Sequence, residues 1–472
     1  MREVKPRVRP AMQSPAGRRR NFDELTSGYT LAQAVEEANR CILCKNPRCQ
    51  SVCPMHNKIP DWMRELQQGR VAEAYGIIRQ TSPMPELCSR LCPQDRLCEG
   101  ACAIGVKHEA VAIGLLERFV SQEGWKQWTG NGDRAPQRTA TARKRVAAVG
   151  SGPASLAVAQ TLARAGHEVT VFERWPRLGG VLRWIPRFKL PTELLDAHLD
   201  MLRGLGVTFY TNTDVRWIES LVTDEGFDAA FIGIGASRPA MPDLPGNQLS
   251  GIMSSTEFLV RVFYDPNELP NDWEPISDLT GRRVAVLGGG DSAMDCVRTS
   301  LRLVAAEVSC VYRRDEANMP GSKREVAAAK DEGANFLMLT APLAFHSEDG
   351  IHVSSIECAR MELGAPDTSG RRSPKMVSGS NVTVPTDLAI LAFGYDVEAA
   401  FDQEHPFLMV PPKGTVKAHP LTGATPIRGV FAGGDCVTGP NLVSTAARAG
   451  LTAAEGILRY FAGEPWETLL SG

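Results

Sequence analysis

The stretch "VAAVGSGPASLAVAQTLARAGHEVTVFER", residues 146–174, combines an apolar strand, a glycine turn, an amphipathic helix and a second strand. Gly150 and Gly152 permit a tight turn and let backbone N–H groups approach a pyrophosphate, which the helix N-terminus stabilises. Ser155 occupies the third motif position, where Gly or Ala is usual, and its side chain is small enough to let the helix pack closely on the strand. Glu173 is placed to accept a hydrogen bond from a ribose hydroxyl. The pattern predicts a dinucleotide-binding unit.

A second stretch repeats this pattern in "RRVAVLGGGDSAMDCVRTSLRLVAAEVSCVYRR", residues 282–314, with Gly288, Gly290 and Ala293 at the three motif positions. Its second strand ends in Arg313 and Arg314 rather than in a carboxylate. A carboxylate would repel a 2'-phosphate, whereas guanidinium groups can bind it. We therefore expect NADPH in preference to NADH; the alternative is that both arginines line a solvated surface.

Two further stretches have features that are expected of a flavin-binding site. "RGVFAGGDCVTGPNLVSTAARAG" predicts a strand, a turn and a helix that bring Asp435 and a helix N-terminus to the cofactor. "LGGVLRWIPRFKLP" offers Gly179 and Gly180 for close backbone approach to a bound ring. The connecting strands "DAAFIGIGA" and "LAILAFGY" indicate that one nucleotide domain is inserted in the other, although either connector could be an ordinary core strand.

The cysteines are concentrated near the N-terminus, where eight of the twelve lie between Cys41 and Cys102. They could form disulfides, bind zinc or hold iron–sulfur clusters. Disulfides are rare in a reducing cytosol, and structural zinc favours paired CxxC motifs, which the second half of this region lacks. The spacing, with Cys53 followed by Pro54, favours two tetranuclear clusters.

The composition of the chain limits the classes of partner that it is expected to bind. The 472 residues are 43% hydrophobic with a formal net charge of -2, so no global field favours nucleic acid or an anionic membrane. There is no apolar run long enough to span a bilayer and no secretory signal, so we expect a cytoplasmic protein with a flexible basic arm over residues 1–20. No cysteine pair of the CxxC type adjoins the flavin segments, so electrons are expected to leave through the N-terminal clusters.

These motifs together resemble the small (beta) subunits of bacterial NADPH-dependent glutamate synthases, over about residues 21–462. The same module is similar to the N-terminal half of dihydropyrimidine dehydrogenase and to flavin subunits of ferredoxin-linked transhydrogenases. The resemblance implies an α/β fold with two Rossmann-like domains, the NADPH domain inserted in the FAD domain, after an α-helical iron–sulfur domain. The implied boundaries are 21–138 for the helical domain and linker, 139–242 and 398–472 for FAD, and 243–397 for NADPH.

The resemblance also implies the ligands. One 4Fe-4S cluster would be held by Cys41, Cys44, Cys49 and Cys102, and the other by Cys53, Cys92, Cys98 and a fourth group. Glu117 is preferred for that corner and Cys88 is the alternative. The residues expected to contact the dinucleotides are Gly150, Gly152, Pro153, Ala154, Ser155, Glu173, Arg174, Gly179, Gly180, Gly288, Gly290, Asp291, Ser292, Ala293, Arg313, Arg314, Gly434, Asp435, Asn441, Leu442 and Thr445.

The implied activity is oxidation of NADPH by FAD, followed by single-electron transfer through the clusters to the FMN of a large subunit that makes glutamate from glutamine and 2-oxoglutarate. No catalytic side chain is expected, because hydride transfer needs only stacking and orientation of the two rings. Three alternatives stay open: a stand-alone NADPH reductase, a subunit serving a pyrimidine-reducing or ferredoxin-linked partner, and a flavoprotein whose cysteine domain is a zinc-stabilised interaction module.

Overall fold

The computed structural model describes residues 5–128, 143–366, 370–398, 406–410 and 414–471. The α-helices are α1 Pro15–Arg18, α2 Leu31–Ala38, α3 Arg48–Ser51, α4 Ile59–Gln67, α5 Val71–Arg79, α6 Pro85–Leu91, α7 Ile113–Trp128, α8 Pro153–Arg164, α9 Thr192–Gly204, α10 Ile218–Thr223, α11 Ser255–Phe263, α12 Asp291–Arg302, α13 Lys323–Asp331, α14 Asp435–Thr438, α15 Val443–Phe461 and α16 Trp466–Ser471.

The strands are β1 Arg145–Val149, β2 Glu168–Phe172, β3 Thr208–Tyr210, β4 Ala229–Ile232, β5 Arg238–Pro239, β6 Ile252–Ser254, β7 Arg283–Leu287, β8 Glu307–Tyr312, β9 Asn335–Met338, β10 Thr340–His346, β11 Ser355–Pro366, β12 Arg372–Pro385, β13 Leu388–Leu391, β14 Tyr395–Asp396, β15 Met409–Val410, β16 Thr415–Val416 and β17 Val430–Ala432.

The N-terminal part is helical, as predicted. Helix α2 begins with a capping box, in which the Thr30 hydroxyl accepts from the Gln33 N–H and the Gln33 side chain accepts from the Thr30 N–H. Helices α4, α5, α6 and α7 pack on one another around the fully buried Trp62, Tyr75 and Leu116. This core presents the loops that carry the cysteines. The central part of the predicted linker, residues 129–142, lies outside the described residues.

Residues 5–20, most of the predicted basic arm, make contacts with the rest of the chain. Arg7 forms an ion pair with Glu99 at 2.9 Å, and the backbone N–H of Val8 donates to Glu37. Arg18 is only 4% exposed and faces the buried Glu332 at 3.5 Å, far along the chain. Arg7 and Arg18 therefore pair with carboxylates of the folded domains, which composition alone does not reveal.

The first nucleotide domain is built on a parallel sheet with strand order β17-β4-β1-β2-β3. Apart from the exposed Arg145 that begins β1, its central strands β1 and β4 are apolar and buried, as is typical of parallel sheets with helices on both faces. Val149 pairs with Phe172 and with Ile232, so the carboxyl ends of three strands meet at one edge. Binding sites of open α/β sheets form at this edge.

The second nucleotide domain has the parallel order β6-β13-β7-β8-β9, with an antiparallel sheet β10-β11-β12 appended to it. Leu287 pairs with Val311 and Leu391, which aligns the strand ends here as well. The chain enters this domain after β5 and leaves it at β14, and these two short strands pair antiparallel. The predicted class of two Rossmann-like domains, one inserted in the other, is confirmed. No helix in the described part of the chain is both long and apolar enough to cross a membrane.

Candidate cofactor cleft and cysteine groups

A single cleft of about 1580 Å³ lies between the two nucleotide domains, and the helical domain closes one of its walls. The helical domain contributes Arg90, Leu91, Cys92, Pro93 and Arg96. Most residues expected at the dinucleotides line this cleft: Gly150, Gly152, Pro153, Ala154, Glu173, Arg174, Gly180, Gly288, Gly290, Asp291, Ser292, Ala293, Arg313, Arg314, Asp435, Asn441 and Leu442. Both glycine turns and Cys92 therefore share one space.

Four expected residues are not part of this lining: Ser155, Gly179, Gly434 and Thr445. The Ser155 side chain is fully buried against Gly233, where an added Cβ would come within 2.1 Å of the serine oxygen. The Thr445 hydroxyl donates to the Leu442 carbonyl within its own helical turn. Gly179 and Gly434 adopt positive φ beneath the surface of the cleft, so they shape it from behind.

The first glycine turn forms a backbone cradle. Gly150 has φ +90°, and a Cβ there would approach the Gly233 carbonyl oxygen to 2.6 Å. A Cβ on Gly180 would lie 3.1 Å from the Cα of Gly152. Side chains at these positions would press on neighbouring backbone, so glycine is what lets the turn close tightly and present its N–H groups to a pyrophosphate, as FAD requires.

Glu173 is buried at the end of β2 and is held by three donors. Its Oε2 accepts from the backbone N–H of Ser151 at 2.9 Å and from the Ser151 hydroxyl, and its Oε1 accepts from the Trp175 N–H at 3.0 Å. A carboxylate offers about four acceptor positions. The fourth acceptor position of Glu173 can accept a hydrogen bond from a ribose hydroxyl.

Asp435 has an unsatisfied oxygen at the cleft. Among the described residues its Oδ1 has no hydrogen-bond partner, although it is buried. Burial raises the pKa of Asp435 to about 6, while the backbone N–H of Asn441 acts in the opposite direction. An unpartnered buried carboxylate needs hydroxyl donors, and the ribityl chain of a flavin carries such groups.

The second turn has Gly288 at φ +150°, where a Cβ would come within 2.3 Å of the Ala392 carbonyl oxygen. Arg313 is exposed and carries no hydrogen bond or ion pair among the described residues. Arg314 is buried, and its Nε donates to the Arg372 carbonyl at 2.7 Å. Sequence reasoning missed Arg371, which lines the same part of the cleft from the distant β11–β12 connection.

A second missed residue, Arg96, comes from the helical domain. Its Nη1 donates to the Pro320 carbonyl at 2.6 Å, and its Nη2 lies 3.5 Å from a carboxylate oxygen of Asp291, the first residue of α12. The other Asp291 oxygen accepts from the Ser322 N–H. No local pattern around Arg96 signals this contact, because it joins residues almost two hundred positions apart.

The cysteines form two groups. The outer cysteine group, Cys41, Cys44, Cys49 and Cys102, is half-buried. Burial, together with the nearby Cys41, Cys102 and Cys44 sulfurs, raises the pKa of Cys49 to about 12. This mutual influence places the four thiols together. Exposed Ile42 and Val106 adjoin the group along the chain.

The inner cysteine group comprises Cys53, Cys92 and Cys98 with Glu117 and Cys88. Burial raises the pKa of Glu117 to about 8, helped by Cys92 and opposed by a hydrogen bond from Asn57 Nδ2 to Glu117 Oε1 at 3.0 Å. Cys53 and Cys98 are influenced by both Glu117 and Cys92. The Cys88 thiol hydrogen-bonds to Cys92 and lowers its pKa. Both candidates for the fourth ligand, Glu117 and Cys88, thus lie in the inner cysteine group.

In the described part of the chain, no three His, Cys, Asp or Glu side chains are arranged around a single metal ion. Each ligand of a 4Fe-4S cluster binds a different iron, so its thiolates surround a larger body than one ion. The donor set of each group, soft thiols with one carboxylate, fits such a cluster. All twelve cysteines are free of disulfides, and the four outside the helical domain are buried.

Comparison with known proteins agrees with this architecture. The family described as "Dihydropyrimidine dehydrogenase domain II, 4Fe-4S cluster" matches residues 18–129, and "Pyridine nucleotide-disulphide oxidoreductase" matches residues 144–450. The structure of Mycobacterium tuberculosis FprA in complex with NADPH shares the fold, with a TM-score of 0.56 and 20% identity over 69% of this chain and 86% of that one. Fold and cleft thus define an NADPH-linked flavoprotein oxidoreductase preceded by an iron–sulfur domain.

Two curated relatives narrow the class. The small chain of the NADPH glutamate synthase of Escherichia coli K12 is 37% identical over 96% of this chain and 97% of its own length. The putative oxidoreductase AegA of the same bacterium is 40% identical over 98% of this chain but 70% of its own length. The chain belongs to the family of NADPH-dependent glutamate synthase small chains.

Proposed function

We propose that the chain is the NADPH-oxidising, electron-input subunit of a cytoplasmic glutamate synthase hetero-oligomer. Electrons would pass from NADPH to FAD and through two 4Fe-4S clusters to the FMN of a large subunit, which makes glutamate from glutamine and 2-oxoglutarate. The observation that carries the proposal is the shared cleft, because both glycine turns and Cys92 line it. The relative matched over nearly its whole length bears the name of this small chain.

The residues of the chain supply binding and orientation. The Gly150 turn and Asp435 would hold FAD, and the Gly288 turn with Arg313 and Arg314 would hold NADPH. The chemistry that bound FAD would supply is acceptance of a hydride from the nicotinamide and release of single electrons. No side chain needs to act as an acid or base, so the protein's contribution is to keep the two rings in contact.

The inner cysteine group adjoins the cleft, since Cys92 is one of its lining residues. The outer cysteine group lies beside exposed apolar residues of the helical domain. This order suggests entry of electrons at the inner group and exit at the outer one. The proposed cluster ligands are those of the two groups.

The decisive experiment is co-purification of the chain with the large glutamate synthase subunit of its own organism. We expect the isolated chain to reduce ferricyanide with NADPH, and the complex alone to form glutamate from glutamine and 2-oxoglutarate. Failure to form a complex, together with full turnover on another physiological acceptor, would contradict the proposal. AegA is named only as a putative oxidoreductase, so the similarity to it supports a stand-alone reductase or a subunit with a different partner as the second candidate.

The fourth ligand of the inner group is tested with two variants, Glu117→Ala and Cys88→Ser. If Glu117 binds iron, its removal should alter or abolish the electron paramagnetic resonance signal of one cluster, while Cys88→Ser leaves that signal in place. The opposite result would assign the corner to Cys88. An unchanged spectrum and unchanged iron content in Glu117→Ala would remove Glu117 from the ligand set.

A further inference from the structure

Ser444, the second residue of α15, carries a buried hydroxyl without a partner. The side chain is 0% exposed, and across the described residues its oxygen has no hydrogen-bond partner. Burying a hydroxyl without such a bond costs free energy, so native proteins seldom do it. The hydroxyl therefore points to a group that accepts a hydrogen bond in the cofactor-loaded protein.

The atom that faces this hydroxyl is the sulfur of Cys92. Helix α15 packs against α6, and Cys92 directly follows α6. Cys92 and Val443 belong to the same hydrophobic cluster, which joins the helical domain to the first nucleotide domain. The Ser444 side chain lies within reach of the Cys92 sulfur, as does the Cys88 thiol of α6.

Ser444 also adjoins the cleft. Its two predecessors, Leu442 and Val443, line the cleft, and so does Cys92. Ser444 itself is buried directly behind this part of the cleft wall. A neutral thiol is a weak acceptor, whereas an iron-bound thiolate is a stronger one, so the bond is expected to form when the cluster is present.

We propose that Ser444 is a positioning residue that donates an O–H···S hydrogen bond to Cys92 and thereby raises the reduction potential of the cluster bound there. Reduction adds one electron to the cluster, and a hydrogen bond to a ligand sulfur stabilises the more negative state. The Ser444 proton stays on its oxygen, and no covalent bond is formed or broken. This inference rests on the proposed function through the role of Cys92 as a ligand.

The test is a redox titration of the purified holoprotein, followed by electron paramagnetic resonance. In Ser444→Ala we expect the iron, sulfide and FAD contents of the protein to be unchanged. The equilibrium constant for reduction of one cluster should fall about tenfold. For a one-electron couple this corresponds to a decrease of 59 mV in its reduction potential. The other cluster should keep its potential. Ser444→Thr retains the hydroxyl and should restore the wild-type value.

Ser82→Ala is the matched control. Ser82 is also a buried serine whose hydroxyl has no hydrogen-bond partner among the described residues, but it shifts the pKa of no described cysteine. If the reduction potentials of Ser444→Ala and of the wild type are equal while both clusters are intact, the inference about Ser444 is wrong but the proposed function stands. Absence of any cluster in the wild-type protein would instead overturn the proposed function. If Ser444→Ala loses iron, electron–nuclear double resonance of the wild type in D2O decides: an exchangeable proton coupled to the inner cluster supports the bond, and its absence refutes it.

Discussion

Side chains of the same type differ in this cleft by the contacts they already make. Arg313 is exposed and has no partner among the described residues, whereas the neighbouring Arg314 is buried and donates to the Arg372 carbonyl. Asp435 has one buried oxygen without a donor. Such differences decide which substitution changes ligand binding and which also changes stability.

Replacing Arg313 with Ala should raise the KM for NADPH by about 10- to 100-fold, because one charge-assisted contact to the 2'-phosphate is lost. The KM for NADH should change little. Steady-state assays with ferricyanide measure both, and Arg203→Ala on the exposed side of α9 serves as the control. Equal effects on the two nucleotides would contradict the phosphate clamp. Arg314→Ala should show the same preference with an additional loss of stability.

Asp435→Asn should stabilise the flavin-free protein while weakening FAD retention. The folded pKa of about 6 lies above the ordinary value of 3.8, so ionisation destabilises the folded state. The cost is absent below pH 3.8, grows as the pH rises and is complete above pH 6, where it reaches up to about 3 kcal/mol. Urea unfolding of flavin-free protein should therefore show a larger gain for Asp435→Asn at pH 7.5 than at pH 5. An equal gain at both values would show that Asp435 is not held in this way.

Two helices that begin near the cleft, α8 and α15, pack without side chains between them. A Cβ on Gly450 of α15 would lie 2.2 Å from the carbonyl oxygen of Ala154 in α8. The small residues of both helices allow this close approach. The spacing of the helices sets the position of both N-terminal turns relative to the cofactor.

Gly450→Ala should therefore destabilise the protein by about 1–3 kcal/mol through overpacking and lower the FAD content of the purified protein. Denaturant unfolding and flavin absorbance measure the two effects. Gly204→Ala at the end of α9, where an added Cβ meets nothing within 4 Å, is the control and should be neutral or slightly stabilising. Wild-type FAD content in Gly450→Ala would show that the helix spacing is not needed for the site.

In the whole molecule, the helical domain touches both nucleotide domains. Arg96 contacts Pro320 and Asp291 of the second nucleotide domain, and Arg324 of that domain donates to Gln94 of the helical domain. Arg96 thus lies beside the turn at which a pyrophosphate would bind. A residue of the iron–sulfur domain can in this way influence nucleotide binding.

Arg96→Ala should raise the KM for NADPH and for NADH by a similar factor of about 10, because the pyrophosphate is common to both. This result would differ from that of Arg313→Ala, which separates the two nucleotides. The same ferricyanide assay measures it. A change confined to NADPH, or no change, would remove Arg96 from the nucleotide site.

Local patterns in the chain were enough to predict both glycine turns and the strands that precede them, and most of the residues expected at the dinucleotides do line the cleft. The cysteine spacing indicated iron–sulfur clusters, whereas the division into two ligand sets came from the family resemblance. The third motif position was predictable only in part: Ser155 fits because Gly233, on another strand, leaves room for it. The choice between Glu117 and Cys88 is open in the sequence and in the structure, which places both beside Cys92.

The amino-acid sequence alone determined the two dinucleotide-binding units, their nucleotide preference as a prediction, and the helical cysteine domain, since each depends on residues close together in the chain. Only the tertiary structure decided that both glycine turns and Cys92 share one cleft, that Arg96 and Arg371 line it, and that Arg7 and Arg18 pair with carboxylates far along the chain. The physical reason is that these contacts join residues far apart in the chain. Burial and neighbouring charge give them their role, and no local spacing encodes either.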